Sequence, residues 1–192
     1  MKLLGSTTSP YVRRIRLLCE LLNKPIEFDN LDIFSEQGRE ILREKNPTLK
    51  VPALIDGEQC IFDSRVISRY LMKEGELRSL SWDEENLMTL IDAANDSLVS
   101  LLISSRSGLD TQSDTLFFNL QRERVTEVYQ TLEKSVTNGA FEQWHYPAIC
   151  LYTLLDWANF RELASTETYP GLSDFLEAHQ GRPDVIDTDP RQ

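Results

Sequence analysis

One serine stands where a helix is expected to begin. Ser9 follows the short apolar stretch Lys2-Leu3-Leu4-Gly5 and a Ser/Thr cluster, and it precedes Pro10. Serine is a preferred N-cap residue and proline is favoured at the first helical position, so the pair predicts a helix start. The free N–H groups and the dipole of such a start favour an anion, so Ser9 is either a cap alone or a ligand contact. Three neighbours are alternatives to Ser9: Thr7, Thr8 and Tyr11.

Two further segments have residue types that suit a ligand. Asp63 and Ser64 follow a predicted strand, and Asp63 can cap the helix that begins there. Without a ligand this pair is an ordinary cap. The run Asn46-Pro47-Thr48-Leu49-Lys50-Val51-Pro52 ends in an X-Pro bond, which is either a cis turn or a trans proline entering a strand. Lys50 by itself is a surface lysine.

The elements that position these residues alternate between strand and helix in the first half. The predicted order is β-α-β-α-β-β-α in about 72 residues, with turn signals at the boundaries. Asp56-Gly57 is the signal for a hairpin between the last two strands. The inner face of the last helix is predicted from its apolar and aromatic residues, which are Val66, Ile67, Tyr70 and Leu71.

The second half predicts helices only. Ser81 and Glu84 form a capping box that opens a long helix to about Ser105, and two more helices cover about 114–135 and 147–160. A short helix follows at about 172–179. The buried stripe of the long helix is predicted from its apolar spacing, at Leu87, Leu90, Ile91, Ala94, Leu98, Leu101 and Leu102. We therefore predict two domains, 1–75 and 81–192.

Charge and composition exclude several function classes. Residues 1–80 carry 13 Lys and Arg against 12 Asp and Glu, whereas residues 81–192 carry 7 against 19. The net charge of -11 argues against a nucleic-acid partner. No uninterrupted apolar run approaches about 18 residues, which argues against a membrane span. Three widely spaced cysteines, two histidines and no C-x-x-C argue against a disulfide framework and a metal site, and fit a reducing cytoplasm.

Several motifs together carry a family resemblance. Ser9-Pro10-Tyr11-Val12 resembles the glutaredoxin run Cys-Pro-Tyr-Cys with both thiols replaced. With the Asn46–Pro52 run, Asp63-Ser64 and a trailing helical domain, nearly the whole chain resembles the cytosolic glutathione transferase family, in its bacterial type with serine at the active-site position. Two later stretches add to the resemblance: 154–161, Leu-Leu-Asp-Trp-Ala-Asn-Phe-Arg, and 182–184, Arg-Pro-Asp.

The resemblance implies a thioredoxin-like N-terminal domain (βαβαββα) that binds glutathione, followed by an all-α domain. Ser9 is implied as the catalytic residue that contacts the glutathione thiol. Val51, before a cis Pro52, is implied to pair through its backbone with the peptide, and Lys50 to reach the glycyl carboxylate. Asp63 suits the α-amino group and Ser64 the γ-glutamyl carboxylate.

The implied function is conjugation of glutathione, as co-substrate, to a small hydrophobic electrophile in detoxification. The helical domain is expected to contribute the electrophile pocket, near Ser97–Arg106. A homodimer is implied, with the first domain packed against the partner's helical domain. No metal and no nucleic-acid or membrane partner is expected. Two alternatives are a non-catalytic regulatory protein like the stringent starvation protein A and a glutathione-dependent reductase. Serine in place of cysteine disfavours the reductase.

Three departures from the family pattern stand out. Leu49 occupies a position where many relatives have Gly, and Asp63 one where many have Glu. The family usually opens its sixth helix with a Ser/Thr-x-x-Asp capping box, and here the matching stretch is His145-Tyr146-Pro147-Ala148.

Overall fold

The computed structural model describes all 192 residues as four strands and eight helices. The strands are β1 (Lys2–Gly5), β2 (Glu27–Asn30), β3 (Ala53–Asp56) and β4 (Gln59–Phe62). The helices are α1 (Pro10–Leu21), α2 (Glu36–Lys45), α3 (Ser64–Glu74), α4 (Trp82–Arg106), α5 (Leu116–Thr137), α6 (Tyr146–Phe160), α7 (Pro170–Gln180) and α8 (Pro183–Asp187). The predicted order of elements in the first half and the helical second half are both confirmed.

The first unit is built on a four-stranded mixed sheet with the strand order β2-β1-β3-β4. β1 pairs in parallel with β2 and antiparallel with β3, and β3 continues into the antiparallel hairpin with β4. Leu3 and Leu54, which are paired across β1 and β3, have no exposed surface. The sheet is thus buried at its centre, as expected for a sheet with covered faces.

α3 departs from the predicted inner face at one position. Val66 is 49% exposed, because the buried face consists of Ser64, Ile67, Ser68 and Leu71 at helical spacing. The residue type of Val66 predicts a core position, whereas the helical period places Ser64 and Ser68 on the buried face. Tyr70 is half-buried, and its hydroxyl donates to Asp56 Oδ2 at 2.6 Å, which raises the pKa of Tyr70 to about 12.

The chain divides into two compact units, Met1–Ser79 with Gly181–Gln192, and Leu80–Gln180. This division differs from the predicted range 81–192 in one respect, since the last twelve residues group with the first unit. The reason is visible at α1, where the Arg13 guanidinium donates to the Val185 carbonyl. Such a long-range contact has no sequence signature.

The helical unit is organised around α6, which is buried along nearly all its length. The capping box of α4 is present, with Ser81 Oγ accepting from Glu84 N–H and Glu84 Oε2 accepting from Ser81 N–H. α6 begins without a side-chain cap, as its sequence predicted. Its N-cap residue His145 instead places Nε2 3.3 Å from Glu84 Oε1.

By a test of length and hydropathy alone, α4 could span a membrane, although the sequence contains no uninterrupted apolar run of about 18 residues. An 18-residue window within Trp82–Arg106 has a mean hydropathy of 1.3. Asp92, Asp96 and several serines interrupt this window, so it contains no continuous apolar run of that length. Core helices of soluble proteins pass the same test, and α4 packs against α5 and α6 with Met88, Ile91, Ala94 and Leu98 buried. The predicted stripe is wrong at Leu87, Leu90, Leu101 and Leu102, which are only partly buried.

Candidate functional site

The strand register brings the three candidate segments to one end of the sheet. Leu4 near the end of β1 pairs with Ala53 at the start of β3, and Ala53 pairs with Phe62 at the end of β4. Ser9 follows β1, Val51-Pro52 precedes β3, and Asp63-Ser64 follows β4. Ser9 and Asp63, which are 54 positions apart in the chain, therefore lie at the same end of the sheet.

Ser9 is the N-cap of α1, with extended backbone angles. Its Oγ accepts a long hydrogen bond from Val12 N–H at 3.4 Å, and its carbonyl accepts from Arg13 N–H at 3.0 Å. A hydroxyl has one donor and two acceptor lone pairs. Capping uses one lone pair, so the O–H proton of Ser9 can still donate to an anion. The cap role and the ligand role, which the sequence posed as alternatives, are compatible.

The neighbours of Ser9 have other partners. The backbone N–H of Thr7 donates to Asn30 Oδ1 at 3.2 Å, and the Thr8 hydroxyl lies 3.2 Å from Ser6 Oγ. The guanidinium carbon of Arg14 lies 4.8 Å from the centre of the Tyr11 ring. Thr7 and Thr8 thus lie in the loop before α1, and the Tyr11 ring packs against Arg14. Ser9 is the one of the four that caps α1.

Asn46 organises the second segment, Asn46–Pro52, through its side-chain amide. Its side chain is 1% exposed, its Nδ2 donates to the Lys50 carbonyl at 2.7 Å, and its Oδ1 accepts from Thr48 N–H at 3.0 Å. Leu49 between these contacts has a φ of 55°. Lys50 itself is exposed. The signal that could have found Asn46 was the Asn-Pro pair after a helix, where an Asn side chain often bonds a nearby backbone.

The predicted cis peptide between Val51 and Pro52 is confirmed. Val51 is half-buried and lies two residues before Ala53, the first β3 residue in the ladder with β1. Its backbone therefore lies beyond the paired part of β3, at the sheet end that carries Ser9. An extended peptide can add to a sheet through backbone groups in such a place.

Asp63 and Ser64 form the start of α3. Asp63 has a φ of 72°, and its Oδ1 accepts from Arg65 N–H at 2.8 Å and from Val66 N–H at 3.3 Å. Ser64 is 5% exposed. The carboxylate of Asp63 thus caps the amides of Arg65 and Val66, and it adds a negative charge beside the helix start.

The cysteines lack the character of activated thiols. Burial raises the pKa of Cys19 to about 11, and burial likewise raises the pKa of Cys60, whose Sγ donates to the Lys45 carbonyl. Cys150 is buried in α6. A reactive cysteine needs a lowered pKa, so the surroundings of these thiols fit a structural role. No group of three or more His, Cys, Asp or Glu side chains is arranged to hold a metal ion.

Residues 3–79 match the family model of the glutathione S-transferase N-terminal domain. The GST-like protein YibF of Escherichia coli K12 is 29% identical over 177 residues, which cover 85% of each chain. Glutathione S-transferase 1 of Zea mays is 33% identical over 99 residues, or 45% of this chain and 46% of that protein.

Solved structures share the fold of the whole chain. The glutathione S-transferase of Methylobacillus flagellatus, which has glutathione bound, superposes with a TM-score of 0.86 at 21% identity, covering 98% of each chain. The enzyme of Methylobacterium radiotolerans, in complex with glutathione sulfonate, has a TM-score of 0.84 at 18% identity, covering 98% of this chain and 94% of that one. The chain therefore has the glutathione transferase fold.

Proposed function

We propose that this chain, whose first unit matches the glutathione S-transferase N-terminal domain, is a bacterial-type glutathione transferase with Ser9 as its catalytic residue. It would activate the glutathione thiol for attack on a small hydrophobic electrophile. The observation that carries the proposal is the gathering of Ser9, Val51-Pro52 and Asp63-Ser64 at one sheet end. Glutathione has a thiol, a peptide backbone and a charged γ-glutamyl end, and these three segments offer a partner for each.

The thiol is activated by stabilising its ionised form. The Ser9 O–H donates to the sulfur while a lone pair on Oγ accepts from Val12 N–H. A hydrogen bond to a charged group contributes about 1.5–3 kcal/mol, and a helix N-terminus adds about 0.3–1 kcal/mol. At about 1.36 kcal/mol per pKa unit, these contributions lower a thiol pKa of about 8.5 by roughly one to three units. A lowering of about two units or more would make bound glutathione largely thiolate at neutral pH.

The rest of the peptide is held by groups that do not touch the sulfur. The Val51 backbone pairs with the extended peptide, and Lys50 attracts the glycyl carboxylate. At the other end Ser64 donates to the γ-glutamyl carboxylate, and Asp63 accepts from the α-amino group. In the reaction the thiolate forms a bond to the electrophilic carbon, and either a leaving group departs or an activated double bond takes up the electron pair.

The helical unit is proposed to contribute the electrophile pocket, with Ser97–Arg106 of α4 as its lining. The identity of the electrophile depends on that pocket and is open to measurement. Three free cysteines favour the cytoplasm, whose thiols are kept reduced.

A homodimer is proposed from the family resemblance. Large apolar side chains that are exposed in the single chain support it: Phe34 at 71% and Val66 at 49% in the first unit, and Trp82 at 86% in the helical unit. Large exposed apolar side chains are candidates for burial at a subunit interface. Light scattering at micromolar concentration should give twice the mass of the chain, and a monomer would contradict the assembly.

The function is tested by retention on a glutathione matrix, followed by rate measurements with a panel of electrophiles. An active enzyme is retained on the matrix. Its conjugation rate follows the ionisation of the bound thiol, whose pKa is lower than that of free glutathione. A protein that is retained but accelerates no conjugation is a non-catalytic binder of the same fold. A protein that is not retained on the matrix would contradict the proposed glutathione site.

A further inference from the structure

The first turns of α1 are held on one side by the end of the chain. Arg13 is 3% exposed, and its Nη2 donates to the Val185 carbonyl at 3.0 Å, while its Nε donates to Thr188 Oγ1 at 3.3 Å. Val185 and Thr188 are themselves each 3% exposed. These bonds join residues that lie more than 170 positions apart in sequence, within one compact unit.

On another side the same turn packs against β1. A Cβ on Gly5 would lie 2.6 Å from both methyl carbons of Val12, so the helix and the strand approach as closely as a glycine allows. Close packing of this kind resists displacement. Val12 and Arg13 thus fix two adjacent positions of α1, one against the sheet and one against the segment Gly181–Gln192.

Ser9 depends on this turn for its position. Its carbonyl accepts from the Arg13 N–H at 3.0 Å, while its own side-chain cap bond to Val12 N–H is long at 3.4 Å. Because Pro10 has no N–H, these two bonds are the ones through which the first turn of α1 fixes Ser9. A displacement of Arg13 is therefore transmitted directly to Ser9.

We propose that Arg13 is a positioning residue for Ser9, and that the segment Gly181–Gln192 sets the geometry of the thiol-activating end of α1 through it. The catalytic part of this inference depends on the proposed function. Hydrogen bonds weaken steeply with distance and angle, so a small shift of Ser9 reduces its stabilisation of the thiolate. Lys50, Val51 and Ser64 lie on other elements, so binding of the rest of glutathione is retained.

The test compares variants that alter the bonded pair with one that does not. Thr188→Val removes the acceptor of the Arg13 Nε bond with little change in shape, and Thr188→Ser keeps a hydroxyl. Arg13→Gln removes the guanidinium altogether. Arg16→Gln is the matched control, because Arg16 also reaches α8, through a bond to the Asp187 carbonyl at 3.2 Å, but its backbone N–H does not bond Ser9.

Three readouts are expected to move together. Amide hydrogen exchange of Val12 and Arg13 should be faster in Thr188→Val and Arg13→Gln, and near wild type in Thr188→Ser and Arg16→Gln. With glutathione saturating, kcat at neutral pH should fall by about tenfold in Thr188→Val, with KM for glutathione within about twofold. The pKa of the bound thiol, followed by thiolate absorbance, should rise in the same variant.

The outcomes separate this inference from the proposed function. Unchanged amide exchange in Thr188→Val, or faster exchange with an unchanged kcat and bound-thiol pKa in an active enzyme, overturns the positioning role. A wild-type protein that conjugates nothing refutes the proposed function. Faster exchange of Val12 and Arg13 in Thr188→Val of that inactive protein still supports the link between α8 and Ser9. If Arg13→Gln fails to fold, the Thr188 pair alone decides.

Discussion

The starts of α1 and α3 lie at the same end of the sheet, yet their caps differ. Ser9 caps α1 with a neutral hydroxyl, extended backbone and one long bond of 3.4 Å to Val12 N–H. Asp63 caps α3 with a charged carboxylate, a φ of 72° and two bonds, the shorter of 2.8 Å to Arg65 N–H. The α3 cap is the tighter of the two.

This difference suggests a division of labour between the two helix starts. A carboxylate is an acceptor only, so Asp63 can add a contact to a cation but none to an anion. A hydroxyl is both donor and acceptor, so Ser9 can cap its helix and donate to a sulfur anion at once. We therefore expect changes at α3 to act on glutathione affinity and on folding, and changes at α1 to act on the rate.

The largest expected effect comes from Asp63→Ala. It removes the cap of α3, which costs about 0.5–2 kcal/mol of stability, and the contact with the α-amino group. Loss of a charged hydrogen bond of about 1.5–3 kcal/mol lowers glutathione affinity by roughly tenfold to a hundredfold. Calorimetric titration and denaturant unfolding measure the two losses.

Asp63→Asn separates the two roles of this residue. Asparagine caps helices as well as aspartate does, and it tolerates a positive φ. Stability should therefore stay near that of the wild type, while affinity falls because the charge is gone. Wild-type affinity in Asp63→Asn would mean that the carboxylate serves α3 alone.

Ser9→Ala should affect the rate instead. Losing a hydrogen bond of about 1.5–3 kcal/mol to the thiolate lowers kcat by about tenfold to a hundredfold at neutral pH, with nearly intact glutathione affinity. The deficit should shrink as pH rises, because hydroxide then ionises the thiol without help. A pH–rate profile measures both features.

Ser9→Thr is the control, since it keeps both the hydroxyl and a capping side chain. Its rate should lie close to that of the wild type. If Ser9 only caps α1, Ser9→Ala loses about 1 kcal/mol of stability and keeps its neutral-pH rate. That result would move the catalytic assignment to Thr7, Thr8 or Tyr11.

Ser64→Ala is expected to act on affinity with little effect on the rate at saturation. Removing a donor to the γ-glutamyl carboxylate weakens glutathione binding by about 1–3 kcal/mol. The cap of α3 stays, because the bonded carboxylate belongs to Asp63. Calorimetric titration beside Ser64→Thr, which keeps the hydroxyl, checks the prediction, and equal affinity in all three proteins would remove Ser64 from the site.

The order of elements and the helix starts could be predicted because each depends on local signals. The Ser9-Pro10 pair, the Asp56-Gly57 turn and the apolar period of α1 each act within a few residues. The docking of α8 on Arg13 could not be predicted, since an arginine that bonds a distant carbonyl and a distant hydroxyl looks in sequence like any charged residue. Asn46 was missed for a related reason: its amide acts on a backbone carbonyl four residues away.

Substitutions at Leu49 have the smallest expected effect on stability, and the sign of that effect is the clearest. Its φ of 55° explains why glycine suits this position, since a Cβ in the left-handed region costs about 1–2 kcal/mol. At an ordinary position a glycine variant is less stable than an alanine variant by about 0.5–1 kcal/mol, because glycine gives the unfolded chain more conformational freedom. Leu49→Gly and Leu49→Ala lose the same side-chain packing beyond Cβ, so their difference isolates the backbone.

We expect Leu49→Gly to be more stable than Leu49→Ala by roughly 0.5 kcal/mol, which inverts the usual order. Denaturant unfolding of the two variants side by side measures this difference. Glutathione affinity should be equal in both, because Asn46 Nδ2 still holds the Lys50 carbonyl and with it the entry to Val51. If Leu49→Ala were the more stable variant, the left-handed backbone conformation of Leu49 would be contradicted. If affinity instead followed stability, the geometry of this loop would join Asp63 in determining how tightly glutathione is held.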